Sequence, residues 1–185
     1  SRKEKAELEK LMINPVWTSD PSSLPLSSTV MYYFIRGLDA FIKDDITSSF
    51  HFFKKAVSHI EANPLMIEDD PYRYVIALDN LAIMQQQLGM HDEMSETFKK
   101  MRGLAGNKKI PHSTDLKTAV LLSFGTEMDI WFDAGLFDMA VAMIPDVETA
   151  IKQNSRFFNP EKKATLYYQF ALAFFGTKNY SKSIY

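Results

Sequence analysis

The sequence predicts an all-α fold built from stacked antiparallel helical hairpins. Three observations support this prediction. Apolar residues recur at helical spacing along most of the chain, strand-like alternation of apolar and polar residues never persists, and turn residues separate the helical segments at regular intervals. The stretch from Leu78 to Lys100 combines all three, because its apolar residues keep helical spacing on both sides of a tight turn at Gly89.

The composition excludes several classes of protein. The 185 residues, 46% of them hydrophobic, are enough for one domain that buries a core without crosslinks. The net charge of −2 provides no electrostatic basis for binding nucleic acid or an anionic membrane. The absence of cysteine excludes disulfides and thiolate chemistry. No apolar run approaches the roughly 18 residues of a membrane span, so we expect no membrane insertion.

Residues 1–26 are predicted to form an N-terminal helix and an irregular connector. Arg2 to Ile13 suggests a short helix, which Asn14-Pro15 ends because the residue before proline avoids the α region. The chain opens inside a helical pattern without an initiator Met, so we expect the natural protein to extend upstream. Cytoplasmic localisation is our prediction, and an upstream signal sequence would overturn it.

The first hairpin is predicted over residues 27–64. The Ser-Ser-Thr run at 27–29 offers hydroxyl groups that can cap the N-terminus of its first helix. Asp44 lies in the turn, and Asn63-Pro64 ends the second helix.

The second hairpin is predicted over residues 71–103, after a connector at residues 65–70. Pro71 suits the first turn of a helix, because its missing N–H has no intrahelical partner there. Gly89 is the turn residue of this hairpin, and a glycine-containing loop follows it.

The third hairpin is predicted over residues 113–154, with Ser113 or Thr114 as its N-cap and Gly135 as its turn. Pro145 lies inside its second helix, which we therefore expect to be kinked or shortened.

The fourth hairpin, residues 160–185, is predicted to be incomplete, because only the start of its second helix, from Tyr180, is present. Its open apolar face would cost on the order of 5 kcal/mol. We therefore expect the natural protein to continue beyond Tyr185.

Four turn residues recur at nearly constant intervals. Asp44, Gly89, Gly135 and Lys178 take the same place in the four hairpins and are separated by 45, 46 and 43 residues. Such an interval indicates a helical repeat, in which each hairpin hides only part of its apolar surface and needs a neighbour to cover the rest.

The residue types around these turns follow a known pattern. Small residues stand at matching places on the two helices of each hairpin: Gly37, Ala82, Ala171, Ser49, Ala140 and Ser183. Bulky residues stand four positions before or after those places: Tyr33, Leu78, Phe124, Tyr167, Phe53, Phe98 and Ile144. Met94 and Met128 depart from the small positions. With this pattern, residues 30–185 resemble the tetratricopeptide repeat family, in which a small residue lets paired helices approach closely.

The interval leaves a second interpretation open. It exceeds the family's usual period of about 34 residues and falls within the roughly 40–47 residues of HEAT-like repeats. The Gly89 and Gly135 turns, followed by Asp92 and Asp138, favour the tetratricopeptide interpretation. The resemblance then implies a right-handed α-solenoid over residues 27–185.

The resemblance also implies a binding site, because the first helices of such repeats line a concave groove. The matching positions in the first hairpin are Phe34, Ile35, Leu38 and Phe41. Those in the other hairpins are Asp79, Asn80, Ile83, Gln86, Gln87, Thr126, Asp129, Asp133, Tyr168, Gln169 and Leu172. At the Asn80 position, the family often uses an Asn amide to hold the backbone of an extended peptide. These positions include acidic but no basic residues, so we expect a neutral or basic peptide with an apolar end near Phe34.

The predicted function is a non-enzymatic scaffold that binds a peptide or protein segment. No phosphate loop or nucleophile motif is present, and His51 and His59 lie about 12 Å apart along one helix, too far for a shared metal ion. We expect no cofactor and no nucleic-acid binding, while uncovered terminal hairpins favour a homodimer.

Two alternative functions remain open. The chain could be the peptide-sensing domain of a bacterial transcription regulator whose DNA-binding domain lies outside this region. It could also be part of an envelope or secretion assembly. The complete reading frame would separate them, because the regulator requires an upstream helix-turn-helix and the assembly an upstream signal sequence.

Overall fold

The computed structural model describes residues 20–104, 107, 109–111, 113–153 and 160–183, and this part of the chain is all-helical. The all-α prediction is therefore confirmed. A short 3-10 turn at Pro21–Ser23 precedes the α-helices. These are α1 (Leu26–Ile42), α2 (Ile46–Glu61), α3 (Pro64–Asp69), α4 (Pro71–Gln87), α5 (His91–Gly103), α6 (Thr114–Asp133), α7 (Phe137–Gln153) and α8 (Pro160–Gly176). The helix predicted from Arg2 to Ile13 lies outside the described residues.

The chain divides into two compact units, Ser1–Met94 and Ser95–Tyr185, with the boundary inside α5. In the first unit, α1 packs on α2, α2 packs on α4, and the short α3 contacts both α2 and α4. In the second unit, α7 packs against α6 and α8, and α6 also contacts α8. The turns within the pairs α1–α2 and α6–α7 are so short that the paired helices run antiparallel, as the hairpin prediction requires.

All four predicted turn residues adopt a left-handed backbone conformation. The φ angle is 62° at Asp44, 71° at Gly89, 70° at Gly135 and 61° at Lys178. At each turn, this residue's N–H donates to the carbonyl three residues back, and the next N–H donates to the carbonyl five residues back, at 2.8–3.0 Å. These two hydrogen bonds form a Schellman motif, so four helices end in the same way.

The turn residues provide a matched pair of substitutions in the second unit. Lys178→Gly is expected to raise the free energy of unfolding by about 1 kcal/mol, because glycine adopts positive φ without the steric cost that lysine bears. Gly135→Ala is expected to lower it by a similar amount, although nothing lies within 4 Å of the added methyl group. Urea denaturation of the two variants checks both signs. A destabilised Lys178→Gly variant would contradict the argument.

Two predicted helix starts are confirmed. The side chain of Asp70 accepts a hydrogen bond from the N–H of Arg73 at 3.0 Å, and Pro71 occupies the first turn of α4. Of the two candidates at the start of α6, Ser113 is the cap, because its hydroxyl accepts from the N–H of Leu116 at 3.1 Å.

The predicted cap at residues 27–29 is wrong. Helix α1 starts at Leu26, directly after Pro25, and residues 27–29 already lie inside it. The hydroxyl of Thr29 instead lies within 3.0–3.2 Å of the carbonyls of Pro21, Leu24 and Pro25. Thr29 therefore ties the preceding segment to the helix rather than capping it.

Two other local predictions differ from the structure, and a third differs in part. Residues 65–70, predicted as a connector, are mostly helical: α3 runs from Pro64 to Asp69, because Pro64 in its first turn is preorganised for a helix. Residues 180–183 form turns, so the predicted start of another helix at Tyr180 is wrong for the described residues. Helix α7 passes Pro145 and runs on to Gln153, so proline does not shorten it, whereas the kink stays a prediction.

The predicted small residues lie where the first hairpin is most tightly packed. A methyl group at Gly37 would lie 2.8 Å from the ring of Phe53, and the hydroxyl of Ser49 donates to the Gly37 carbonyl at 2.9 Å. In the other unit, Met128 and Ala140 are both fully buried. In this hairpin, Met128 on α6 stands where the pattern has a small residue, and Ala140 on α7 keeps the small residue at the matching place.

Candidate functional site

An apolar cavity lies in the first unit, between the N-terminal parts of α1 and α4. Its volume is about 220 Å³. Its lining residues are Val30, Met31, Phe34, Asp70, Tyr72, Arg73, Ile76 and Ala77. Phe34 is one of the predicted groove residues, so the cavity opens at the place where the sequence predicts the apolar end of a bound peptide. A second cavity of about 270 Å³ lies beside it, and Asp70 and Arg73 line both.

One face of α4 continues from this cavity. Tyr72, Ile76, Asp79 and Ile83 follow one another at intervals of three or four residues and therefore share that face. Tyr72 is 45% exposed, and the other three side chains are half-buried. The sequence predicts Asp79 and Ile83 as groove residues but misses Tyr72 and Ile76. Their helical spacing with Asp79 is the signal that could have revealed them.

The matching face of α1 is apolar along its length. Met31, Phe34, Leu38 and Phe41 recur at the same spacing and are exposed or half-buried. Ile35, which was also predicted to face the groove, is instead buried in the core, because it lies one residue beyond this face.

Asp79 is the unusual residue of this site. It is half-buried, and no other side chain or backbone group in the described part of the chain forms a hydrogen bond or ion pair with its carboxylate. Burial raises the pKa of Asp79, because the charged form loses hydration that nothing replaces. An unpaired, partly desolvated ionisable group beside a cavity is typical of binding sites.

The side chain of Asn80 already forms one hydrogen bond within its own helix. Its side-chain Nδ2 donates to the carbonyl of Ile76 at 2.8 Å, which leaves one N–H donor and the Oδ1 acceptor for a ligand. Farther along α4, Gln86 is half-buried and Gln87 is exposed. The role of Asn80 as a peptide clamp stays a prediction.

In the second unit, two predicted groove residues bind each other. The Nε2 of Gln169 on α8 donates to the Oδ1 of Asp129 on α6 at 2.6 Å and to the Gly125 carbonyl at 3.2 Å. Gln169 is only 4% exposed, and its Oε1 is buried without a hydrogen-bond partner among the described residues. This pair therefore joins two helices.

The other predicted residues of the second unit are more accessible. The hydroxyl of Thr126 donates to the Leu122 carbonyl in its own helix. Asp133 and Tyr168 are exposed, and Leu172 is half-buried.

A buried ion pair in the second unit escapes sequence reasoning. Glu127 on α6 is 4% exposed and pairs with the guanidinium of Arg102 at the end of α5. The guanidinium also lies 4.0 Å from the centroid of the Phe124 ring, and the Ser95 hydroxyl donates to Glu127 at 3.3 Å. A glutamate on an otherwise apolar helix face is the one signal that could have revealed it.

The part of the chain that the structure describes offers neither a metal site nor a membrane span. No group of three or more His, Cys, Asp or Glu side chains there is arranged to hold a metal ion. Within the same residues, no helix is both long and apolar enough to cross a membrane. No protein-family model matches the chain, and no curated protein matches it.

Proposed function

We propose that this chain is a non-enzymatic, peptide-binding helical-repeat module of the tetratricopeptide type. Its hairpins would stack as a right-handed α-solenoid whose first helices line the binding groove. Four left-handed turns with the same two hydrogen bonds, spaced 43–46 residues apart, support a repeat. The close contact of Gly37 with Phe53 supports the family's way of pairing helices.

The observation that carries the binding proposal is the apolar cavity between α1 and α4. Its volume of about 220 Å³ is below the roughly 300–1,000 Å³ of small-molecule pockets. It suits one apolar side chain of a longer segment that continues over the surface. The faces of α1 and α4 beyond the cavity offer such a segment apolar and amide contacts.

Two cavity-lining side chains are suitable for substitution: Met31 and Tyr72, which are 39% and 45% exposed. Because both side chains are already partly exposed to solvent, replacing them with serine removes apolar surface from the cavity lining and removes little buried apolar surface from the core. Leu65 on α3 is 71% exposed and does not line the cavity, so Leu65→Ser is a matched control in the same unit.

The test is selection from a random linear peptide library on the immobilised chain. We expect selected peptides to share an apolar residue and to bind the Met31→Ser/Tyr72→Ser variant at least about tenfold more weakly, a loss of about 1.4 kcal/mol. The Leu65→Ser control should bind like the wild type. Failure to select any peptide, or equal binding to the double variant, would refute the proposal. A sensor domain of a regulator would use the same groove, so the experiment applies to that alternative too.

A further inference from the structure

We propose that the segment bound between α1 and α4 is basic, with an apolar side chain in the cavity and an Arg or Lys side chain against the carboxylate of Asp79. This inference rests on the proposed function and specifies its ligand. It follows from three observations: the position of Asp79 beside the cavity, the contacts that already occupy the other charged side chains of the two helices, and the partial burial of the Asp79 carboxylate without a partner among the described residues.

Asp79 lies one helical turn beyond the cavity. It follows Ile76, which lines the cavity, by three residues on the same face of α4, which is about 4.5 Å along the helix axis. In an extended peptide, residues two apart project to the same side and are about 6.6 Å apart. If an apolar residue of the peptide fills the cavity, the side chain two residues farther along therefore lies slightly beyond Asp79. The flexible stem of Arg or Lys covers the remaining difference.

The other charged residues of α1 and α4 are already engaged. Arg73 forms an ion pair with Asp70 at 3.1 Å, and the ammonium of Lys43 lies 2.8 Å from Asp39. The guanidinium of Arg36 lies 5.3 Å from the centroid of the Phe52 ring on α2.

No further charged residue occurs within α1 or α4, so Asp79 is the carboxylate on these two helices that has no cationic partner among the described residues. An incoming cation would meet one free carboxylate, while the basic side chain that lines the cavity, Arg73, is already neutralised by Asp70. The same charge would repel an acidic segment, so it selects against acidic partners as well as for basic ones.

The carboxylate of Asp79 destabilises the free protein. Burial disfavours its charged form, and in the described residues nothing donates to it. A charged group whose surroundings disfavour its charge is typical of functional sites. A guanidinium or ammonium bound there supplies the missing donors, and the charge-assisted hydrogen bond forms where water is already partly excluded.

The test uses three peptide sets that carry Leu and, two residues after it, Arg, citrulline or Glu, with random residues elsewhere. Citrulline has nearly the shape of Arg but no charge. We expect the wild type to bind the Arg set about tenfold more tightly than the citrulline set, and the Glu set most weakly. The preference for Arg should shrink as salt is raised.

The decisive variant is Asp79→Asn, which keeps the side-chain shape and removes the charge. It should bind the Arg and citrulline sets equally. Asp44→Asn is the matched control, because Asp44 is an exposed Asp in the first unit outside the groove, and this variant should keep the preference for Arg. The thermal midpoint of Asp79→Asn should be at least that of the wild type, which excludes misfolding.

The outcomes separate the two proposals. If no set binds, the proposed peptide-binding function itself fails. If the citrulline set binds and depends on Met31 and Tyr72, but Arg brings no advantage, only the inference about Asp79 is refuted. A preference for Arg that survives in Asp79→Asn would also overturn it.

Discussion

Replacing Arg102 with Met is expected to lower the free energy of unfolding by about 3–5 kcal/mol, the cost of breaking a buried ion pair from one side. Glu127 would remain 4% exposed without its cationic partner. The contact of the guanidinium with the Phe124 ring would be lost as well. Because this region belongs to the second unit, urea denaturation followed by a probe in that unit measures the effect.

The double variant Arg102→Met/Glu127→Met distinguishes a charge effect from a packing effect. Removing both charges leaves no uncompensated carboxylate, so the double variant should be more stable than Arg102→Met alone. Lys99 and Glu96 form a pair at 2.6 Å on the same helix, but both side chains are largely exposed. Lys99→Met is therefore expected to leave stability unchanged. Equal losses in the single and double variants would contradict the ion-pair argument.

Replacing Gly37 with Leu is the second change with a large expected effect. Even a methyl group at this position would lie 2.8 Å from the Phe53 ring, which is 1% exposed and packed in the core. We expect a loss of about 3 kcal/mol from overpacking, well above the gain of about 1 kcal/mol in helix propensity. The thermal unfolding midpoint of the first unit measures it.

Two further variants test this reason. Gly37→Leu/Phe53→Leu replaces the ring by a smaller side chain and should recover part of the loss. Gly103→Leu, at the exposed end of α5 where nothing lies within 4 Å of an added Cβ, should not destabilise the protein. A Gly37→Leu variant as stable as the wild type would show that α1 and α2 can separate without cost, against the tight packing described above.

Much of the fold is predictable because helices and their ends depend on neighbours in the chain. The turn at Gly89 requires positive φ and hydrogen bonds to residues three and five positions back, all within one short segment. The Asp44 and Lys178 turns follow the same local rule although they lack glycine, and only their regular spacing reveals them. The errors are also local: Pro64 starts a helix where a connector was predicted.

The candidate site is predictable only in part. The resemblance placed Phe34 and Asp79 on one groove, and both lie at or beside the cavity between α1 and α4. It also placed Gln169 there, but the side chain of that residue is used to hold α8 on α6. Helical periodicity tells which residues share a face, but not whether a neighbouring helix covers that face.

The sequence alone predicts the all-α character, the four turns and the start of α4 at Pro71, because each depends on residues a few positions apart. Which polar groups find a hydrogen-bond partner depends instead on how the helices pack. Arg102 neutralises Glu127 from 25 residues away, whereas Asp79 is left half-buried with no partner among the described residues. The free energy of a buried charge depends on what packs around it, and that environment is assembled from helices distant in the chain.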